Sequence, residues 1–128
     1  MTRPEINDPK ILEEVTEAFQ RYEVALTTND VEALDALFWS SDEVVRYGAT
    51  ENLYGQDEIL AFRQARPSKE LDRTLTRTVI TTFGDDFASA CTEFTRPPSD
   101  RVGRQTQSWA RFDDGWKIVA AHVSWMDD

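Results

Sequence analysis

The sequence predicts a single α+β domain over residues 1–128, in which three N-terminal helices pack on a strongly curved antiparallel sheet and close a cone-shaped pocket. Three observations lead to this fold class. Apolar residues recur at helical three- and four-residue steps in the first half of the chain, long strand-like runs fill the second half, and no βαβ alternation connects them. The chain also lacks repeats and linkers, so one core is expected at this length.

Three helices are expected in the first half of the chain. Asp8-Pro9 marks the start of a long amphipathic helix, because aspartate is a good N-cap and proline is favoured in the first turn. Asp30 is the expected N-cap of a short second helix, which folds back on the first as a hairpin. Asp57 is the expected N-cap of a third helix, and Pro67 marks its end.

Strand-like segments fall into two groups. A short β-prone pair, at residues 44–48 and 53–55, lies between the second and third helices. Four longer segments follow at residues 74–83, 87–95, 104–112 and 116–125, and segments rich in glycine, proline and aspartate separate them. Consecutive long strands joined in this way predict an antiparallel meander.

The composition excludes several classes of function. With 24 acidic and 14 basic residues the net charge is -10, which opposes binding to a phosphate backbone, so no nucleic acid partner is expected. No apolar run is long enough for a membrane span, and no export signal is visible at the N-terminus. The single cysteine, Cys91, cannot form an internal disulfide. We therefore expect a cytoplasmic protein without membrane attachment.

The common catalytic motifs are missing from the sequence. It has no CxxC, HExxH or GxSxG segment and no glycine-rich phosphate loop. His122 is the only histidine, which rules out a histidine-rich metal site, and no acidic cluster has metal-ligand spacing. No metal and no organic cofactor are therefore expected.

Tyr22 and Arg46 are the first two candidate site residues. Tyr22 lies on the apolar stripe of the long helix, where a buried hydroxyl needs a partner. It is either a core tyrosine bonded to the backbone or a proton donor aimed into a pocket. Arg46 interrupts an apolar strand, so its charge must be paired or must face water. It forms either a structural salt bridge or a bidentate clamp for an anionic ligand.

The last strands add Arg104, His122 and Ser124 as candidates. Lys117 on an otherwise apolar strand indicates that even-numbered positions, including His122 and Ser124, face the concave side. On the preceding strand, either the face of Arg104 or the face of its odd-numbered neighbours is concave, and the pattern leaves both open. A solvated edge or an interface rim is expected for the arginines near the third helix, Arg63, Arg66 and Arg73.

Several segments together carry a family resemblance. They include Arg46-Tyr47-Gly48, Phe62-Arg63-Gln64-Ala65-Arg66, Glu93-Phe94-Thr95-Arg96, Gly103-Arg104-Gln105 and Trp116-Lys117-Ile118-Val119. With these segments the chain resembles the AtzH/HpxZ family, small proteins with a nuclear transport factor two-like cone that are encoded beside amidase-signature enzymes of cyanuric acid and oxalurate breakdown. The likeness runs over nearly the whole chain.

The resemblance implies a decarboxylating amidohydrolase that removes carbon dioxide from 1,3-dicarboxyurea and leaves allophanate, in the nitrogen catabolism of s-triazines. The family's helix tyrosine and strand arginine correspond to Tyr22 and Arg46. We expect Tyr22 to protonate the substrate nitrogen and Arg46 to hold a carboxylate, because a positioned acid and an arginine fork suit those tasks. Arg104, His122 and Ser124 are expected to bind the substrate.

Two other functions stay open at this point. A cone of this kind would also serve as a non-catalytic ligand-binding or accessory protein for an amidase-signature enzyme in ureide (oxalurate) catabolism. A ketosteroid-isomerase-like enzyme would need a buried acid and an apolar cavity, whereas the arginines here favour a small anion. We also expect a homodimer through the outer face of the sheet, where an apolar strip would otherwise be exposed. That strip is expected at Val119, Ala121, Val123 and Trp125.

Overall fold

A computed structural model describes residues 3–69 and 71–127. Within these ranges the elements follow in the order α1 (Pro9–Thr27), α2 (Val31–Leu37), β1 (Val45–Tyr47), β2 (Asn52–Tyr54), α3 (Gln56–Ala65), β3 (Thr74–Phe83), β4 (Phe87–Thr95), β5 (Gly103–Phe112) and β6 (Gly115–Trp125). The helices precede the long strands, and the short pair β1 and β2 separates α2 from α3. The expected α+β class is therefore confirmed.

The helix boundaries follow local capping chemistry. At the start of α1, the Asp8 carboxylate accepts a hydrogen bond from the backbone N–H of Lys10 at 3.0 Å. At the start of α2, the Asp30 carboxylate accepts one from a backbone N–H at 3.1 Å. The third helix differs from the expectation, because its N-cap is Gly55, with φ 84°, and Asp57 lies inside the first turn. Glycine suits this cap since it adopts positive φ without a steric cost.

The described strands form one six-stranded sheet in the order β2-β1-β6-β5-β4-β3. The four long strands pair antiparallel, which confirms the expected meander. The first strand departs from this pattern, because β1 pairs parallel to β6, with Arg46 opposite Ala121. The short hairpin of β1 and β2 thus extends the sheet beyond the last strand and brings Arg46 beside it.

A β-bulge at Val119 changes which residues of β6 face the helices. The pairing with β5 skips Val119 between Ile118 and Ala120, so the extra residue breaks the two-residue alternation. Ile118 is buried before the bulge, whereas beyond it Ala121 is buried and His122 is exposed. The expectation that even-numbered positions of this strand face the concave side is therefore right up to Ile118 and wrong after it.

The helices cover one face of the sheet, here called the inner face, which carries the buried strand residues such as Trp109 and Ile118. The alternate strand residues, such as Arg104 and Thr106, lie on the other side, here called the outer face. Apolar side chains of all three helices join the inner face in one core, among them Val15, Phe19, Leu34 and Ile59, and Phe38 adds to it directly after α2. None of the described helices is long and apolar enough to cross a membrane.

Candidate functional site

Tyr22 projects from α1 toward the inner face of the sheet and is buried. The apolar periodicity of the helix places it on the same stripe as Phe19 and Leu26. Its hydroxyl oxygen accepts a hydrogen bond from Nε2 of Gln105 on β5, at 3.1 Å. Since Gln105 occupies an acceptor position of that oxygen, the hydroxyl hydrogen is left to be donated elsewhere.

Arg46 reaches the same region from β1. Its Nη1 donates to Oε2 of Glu51 at 2.9 Å, and its guanidinium lies 5.2 Å from the ring centroid of Phe62 on α3. Gly48 makes room for this pair, because a β-carbon there would lie 1.4 Å from a Glu51 carboxylate oxygen. The salt bridge that the sequence left open therefore exists, and it is not fully shielded: 10% of the Arg46 side chain and 21% of the Glu51 side chain are exposed.

Arg73 holds a second carboxylate beside Tyr22. Its Nε donates to Oε2 of Glu23 at 3.1 Å, and its Nη2 donates to Oε1 of the same residue, so the pair is bidentate. The guanidinium also lies over the ring of Phe94, 4.5 Å from the centroid. The Arg73 side chain is almost completely buried. The expectation of a solvated edge is wrong for this residue.

Arg63 brings an unpaired charge into the same region. It is 1% exposed, and its guanidinium lies 4.9 Å from the ring centroid of Phe38. None of its three guanidinium nitrogens has a hydrogen-bond partner among the described residues. Arg66 is half-buried, and its Nε and Nη2 lack partners in the same part of the chain. The expectation of a solvated edge or rim is wrong for Arg63.

The sequence did contain a signal for the burial of Arg63. It follows the buried Ile59 by four residues on α3, and residues four apart share one face of a helix. The buried stripe of this helix therefore includes an arginine. The sequence-based interpretation gave more weight to charge than to helical position.

Electrostatic interactions couple Tyr22 to these arginines. Burial raises the pKa of Tyr22. The charges of Arg63, Arg73 and Arg46 and the hydrogen bond from Gln105 together lower this pKa by more than burial raises it, so that it lies below its ordinary value of 10.0. Burial lowers the pKa of Arg63 to about 10, with a smaller contribution from neighbouring positive charges. Arg63 therefore stays protonated at neutral pH, and the phenol is a stronger acid than a free tyrosine.

A small inner cavity of ≈ 20 Å³ lies beside Tyr22, Arg46 and Arg73. Its wall includes Tyr22, Leu26, Arg46, Arg73, Gln105 and Val123. A volume of this size holds about one water molecule, so a larger ligand requires that wall side chains move. Arg46 and Arg73 are the longest side chains of this wall, and each is held by a carboxylate.

The cavity is equipped for an anion rather than a cation. The polar residues of its wall are Arg46, Arg73, Gln105, His122 and two tyrosines, and the nearby carboxylates of Glu23 and Glu51 are already paired with the arginines. In residues 3–69 and 71–127, no group of three or more His, Cys, Asp or Glu side chains is placed to hold a metal ion.

Arg104, His122 and Ser124 lie on the outer face of the sheet. Arg104 and His122 are exposed, and together with Ser124 they line an open groove of ≈ 590 Å³. Of the three, only His122 also borders the inner cavity. The expectation that His122 and Ser124 face the concave side is wrong, because the bulge at Val119 reverses the alternation.

The odd-numbered residues of β5 face the helices, which answers the question that the sequence pattern left open for this strand. Gln105, Gln107 and Trp109 are buried on the inner face, and Arg104 is exposed on the outer face. Gln105 is a site residue that the sequence reasoning did not single out. No pattern could have found it, since both faces of this strand segment are polar.

The apolar strip expected for a dimer does not lie on the outer face. Ala121 is buried in the core, and Val123 borders the inner cavity. The Trp125 ring packs edge-on against Phe94, with the centroids 5.2 Å apart. The outer face instead presents Val45, Tyr47, Thr106, Ser108 and Ala120 around its groove.

Comparisons with known proteins agree on fold and family. The family model described as AtzH-like matches residues 4–128. The chain is 60% identical to a Pectobacterium atrosepticum protein of unknown function from the DUF3225 family, covers 95% of both chains and superposes with a TM-score of 0.94. It is 50% identical to a cystatin-like fold protein from Burkholderia xenovorans, with 98% of both chains covered and a TM-score of 0.93.

A more distant likeness extends the fold assignment. A nuclear transport factor 2 (NTF2-like) superfamily protein from Salmonella enterica is 24% identical, with 93% of both chains covered and a TM-score of 0.74. At that identity the likeness shows the fold alone. Among curated proteins, none matches this chain.

Proposed function

The chain belongs to the AtzH-like family, and on that premise we propose that it is a decarboxylating amidohydrolase that converts 1,3-dicarboxyurea to allophanate and carbon dioxide. One observation carries the proposal. Tyr22 is buried beside guanidinium groups that lower its pKa despite the opposing effect of burial, and Gln105 leaves its hydrogen free to donate. A phenol in this setting is a proton donor aimed at a bound anion.

The proposed reaction needs a proton and no other co-reactant. The substrate dianion takes up one proton at a nitrogen, and the bond from that nitrogen to a terminal carboxylate carbon breaks. The electron pair of the bond stays on nitrogen, the carboxylate leaves as carbon dioxide, and allophanate remains as a monoanion. The task of the site is therefore to deliver a proton to nitrogen while holding two negative charges.

Tyr22 supplies that proton in the proposed mechanism. A positioned general acid contributes about a hundred- to ten-thousand-fold to such a step. When the hydroxyl gives up its proton, the resulting phenolate is stabilised by the same arginine charges that lower the pKa of Tyr22. Water then returns the proton to Tyr22 before the next turnover.

Arg46 holds the departing carboxylate in this scheme. Its planar fork suits bidentate binding of a carboxylate, and its present partner, Glu51, is partly exposed. Because the inner cavity is smaller than the substrate, we expect the substrate carboxylate to displace Glu51 from Arg46. The cavity then opens at the side where these two long side chains meet.

The test is decarboxylation by purified protein. Freshly prepared 1,3-dicarboxyurea is mixed with the protein, and released carbon dioxide and allophanate are followed against the spontaneous reaction. We expect equal amounts of both products at a rate well above the spontaneous one. A rate equal to that of buffer alone would contradict the proposal.

A non-catalytic role remains the competing hypothesis. An arginine-lined cavity would also suit a protein that binds a ureide and presents it to an amidase-signature enzyme. Such a protein would bind the dianion without accelerating its decarboxylation, so the same assay separates the two functions. We propose a functional link to such an enzyme in either case. An enzyme would supply it with allophanate for a further amide hydrolysis, and a binding protein would supply it with the ureide itself.

We further propose that the protein is a cytoplasmic homodimer, associating through the outer face. The apolar and small residues around the outer groove support this, together with Val79 on β3, which is 47% exposed. Large exposed apolar patches are uncommon on monomers. A cytoplasmic location fits a chain whose single cysteine leaves it without an internal disulfide.

A further inference from the structure

We propose that Arg63 and Arg66 form a receptor for a second carboxylate, so that the inner site selects dianions over monoanions of the same size. This inference rests on the proposed function, since it assigns the carboxylate that the reaction retains. Arg46 would hold the departing carboxylate from one side of Tyr22, and the receptor would hold the other end of the substrate.

Arg63 and Arg66 carry buried guanidinium nitrogens that have no hydrogen-bond partner among the described residues. Each of the other two guanidiniums of the site has a carboxylate, Glu51 for Arg46 and Glu23 for Arg73. Arg63 has no carboxylate partner among the described residues, and none of its guanidinium nitrogens has a hydrogen bond of normal geometry; the polar group that acts on it is the Tyr22 hydroxyl. An isolated buried charge is costly to a fold, and removing its partner from a buried pair commonly destabilises a protein. A charge kept in this state points to a partner that arrives from outside.

Arg63 and Arg66 lie together at the C-terminal end of α3. Arg63 is in the last turn of the helix, and Arg66 is the C-cap residue that directly follows it, with extended backbone. Aromatic rings support both guanidiniums: Phe38 lies 4.9 Å from Arg63, and Phe62 lies 5.7 Å from Arg66. Stacking on rings restricts the guanidiniums and leaves their N–H edges directed away from the ring.

The receptor lies next to the other parts of the site. Phe62 has both Arg46 and Arg66 near its ring, with their guanidiniums 5.2 Å and 5.7 Å from its centroid. Arg63 in turn lowers the pKa of Tyr22 more than any other residue does. Arg66 thus shares a ring with Arg46, and Arg63 lies close enough to Tyr22 to act on its pKa, so we expect a short dianion to bridge the two ends once side chains of the cavity wall move.

Product release follows from the same arrangement. After carbon dioxide leaves, Arg46 has lost its substrate carboxylate, and Glu51 can return to it. Allophanate is then held only at the receptor, as a monoanion. A site that needs two charges for tight binding thus binds its product more weakly than its substrate.

The test uses glutarate as an unreactive probe. Glutarate has two carboxylates separated by three atoms, as 1,3-dicarboxyurea has, and it does not lose carbon dioxide. Glutaramate has the same number of heavy atoms and one charge fewer. Titration calorimetry with the wild-type protein should give an affinity for glutarate about 10- to 100-fold higher than for glutaramate, the usual effect of one charge-assisted contact.

Substitutions then locate the second charge contact. In Arg63→Met and Arg66→Met, the affinity for glutarate should fall toward that for glutaramate, while the affinity for glutaramate changes little. Arg63→Lys should keep part of the preference. Arg21→Met is the matched control, because Arg21 is a surface residue on α1 that pairs with Glu17, and it should bind as wild type does.

Thermal unfolding separates this role from a structural one. Without added anion, Arg63→Met should unfold at a temperature equal to or above that of wild type, because methionine replaces an unpaired buried charge. Glutarate should raise the unfolding temperature of wild type and no longer raise that of Arg63→Met. A variant that is less stable but keeps its preference for glutarate would overturn the proposal.

The outcome is independent of turnover. Equal affinity of wild type for glutarate and glutaramate would overturn the receptor, whether or not 1,3-dicarboxyurea is decarboxylated. Selective glutarate binding that depends on Arg63, in a protein that does not decarboxylate 1,3-dicarboxyurea, would support the receptor and contradict the proposed function.

Discussion

Gln105 donates its side-chain amide hydrogen to the hydroxyl oxygen of Tyr22, with 3.1 Å between Nε2 and Oη. This contact joins the first helix to the centre of the sheet across 83 residues of sequence. It fixes the phenol and uses one of its acceptor positions, so the hydroxyl hydrogen points to another acceptor. In the proposed reaction that acceptor is the substrate nitrogen.

Replacing Tyr22 with phenylalanine should nearly abolish decarboxylation and leave the fold intact. The ring keeps its packing on the helix stripe, and the loss of one hydrogen bond should cost about 1 kcal/mol in unfolding free energy. Tyr54→Phe is the matched control, because Tyr54 is an exposed phenol on β2. Steady-state rates and chemical denaturation measure both effects. Wild-type turnover in Tyr22→Phe would mean that the phenol is not the acid.

Arg46→Ala and Glu51→Gln together separate a ligand clamp from a structural ion pair. Arg46→Ala should lower turnover by about a hundred- to a thousand-fold, the usual effect of losing one preorganised donor. Its stability cost should be about 1–3 kcal/mol, because the remaining Glu51 carboxylate is partly exposed to solvent. Glu51→Gln keeps the arginine fork and should retain turnover within a few-fold. Equal losses in both variants would make the pair structural.

The phenol of Tyr22 should titrate below the ordinary value for tyrosine. Burial raises its pKa, but Arg63, Arg73, Arg46 and Gln105 lower it by more. In the unfolded chain the pKa returns to its ordinary value of 10.0. Between the two values the folded protein binds fewer protons. The stability that Tyr22 contributes is therefore fully present above pH 10, and it is lost as pH falls through the folded pKa.

Phenolate absorbance provides the measurement for this shift. The difference between titrations of wild type and Tyr22→Phe isolates the Tyr22 transition. This transition should lie at a lower pH than that of a free tyrosine. The Tyr54 transition should come late, because its hydrogen bond with Tyr47 raises the pKa of Tyr54. A Tyr22 transition above that of a free tyrosine would show that burial outweighs the arginine charges.

Local patterns in the sequence were sufficient to predict most of the fold. Alternation and turn residues gave the bounds of β3 and β4 as the structure has them, and Asp8 and Asp30 marked the starts of two helices. The parallel pairing of β1 with β6 was not predictable, because pairing across the whole chain leaves no local mark. Tyr22 and Arg46 were found because a phenol and a charge interrupt apolar patterns.

The bulge at Val119, which decides the face on which His122 lies, leaves no mark in the neighbouring sequence. Val119 lies in an apolar run, Ile118 to Ala121, in which no polar residue shows where the alternation shifts. That shift moved His122 to the outer face and changed the residues available for dimer contacts. Arg63 is the opposite case, since its helical position did predict burial and its charge argued against it.

Substitutions at the displaced candidates test the bulge directly. Arg104→Ala and Ser124→Ala should keep turnover within a few-fold of wild type, because both side chains lie on the outer face. Gln105→Leu, on the next position of the same strand, should lower turnover, since it removes the donor to Tyr22. Loss of turnover in Arg104→Ala with full activity in Gln105→Leu would reverse the assignment of faces.

The dimer prediction uses Cys91, the single cysteine, as its reporter. Cys91 is exposed on β4 and lies opposite Thr106 of β5, so it is on the outer face. Light scattering at micromolar concentration should give about 29 kDa, twice the chain mass of 14.7 kDa.

In such a dimer, a bulky maleimide should react with Cys91 slowly, because the partner covers the outer face. Ser108→Arg places a charge in the outer groove and should give a monomer in which Cys91 reacts fast, with stability unchanged. A wild-type species of 14.7 kDa with freely reactive Cys91 would contradict association through this face.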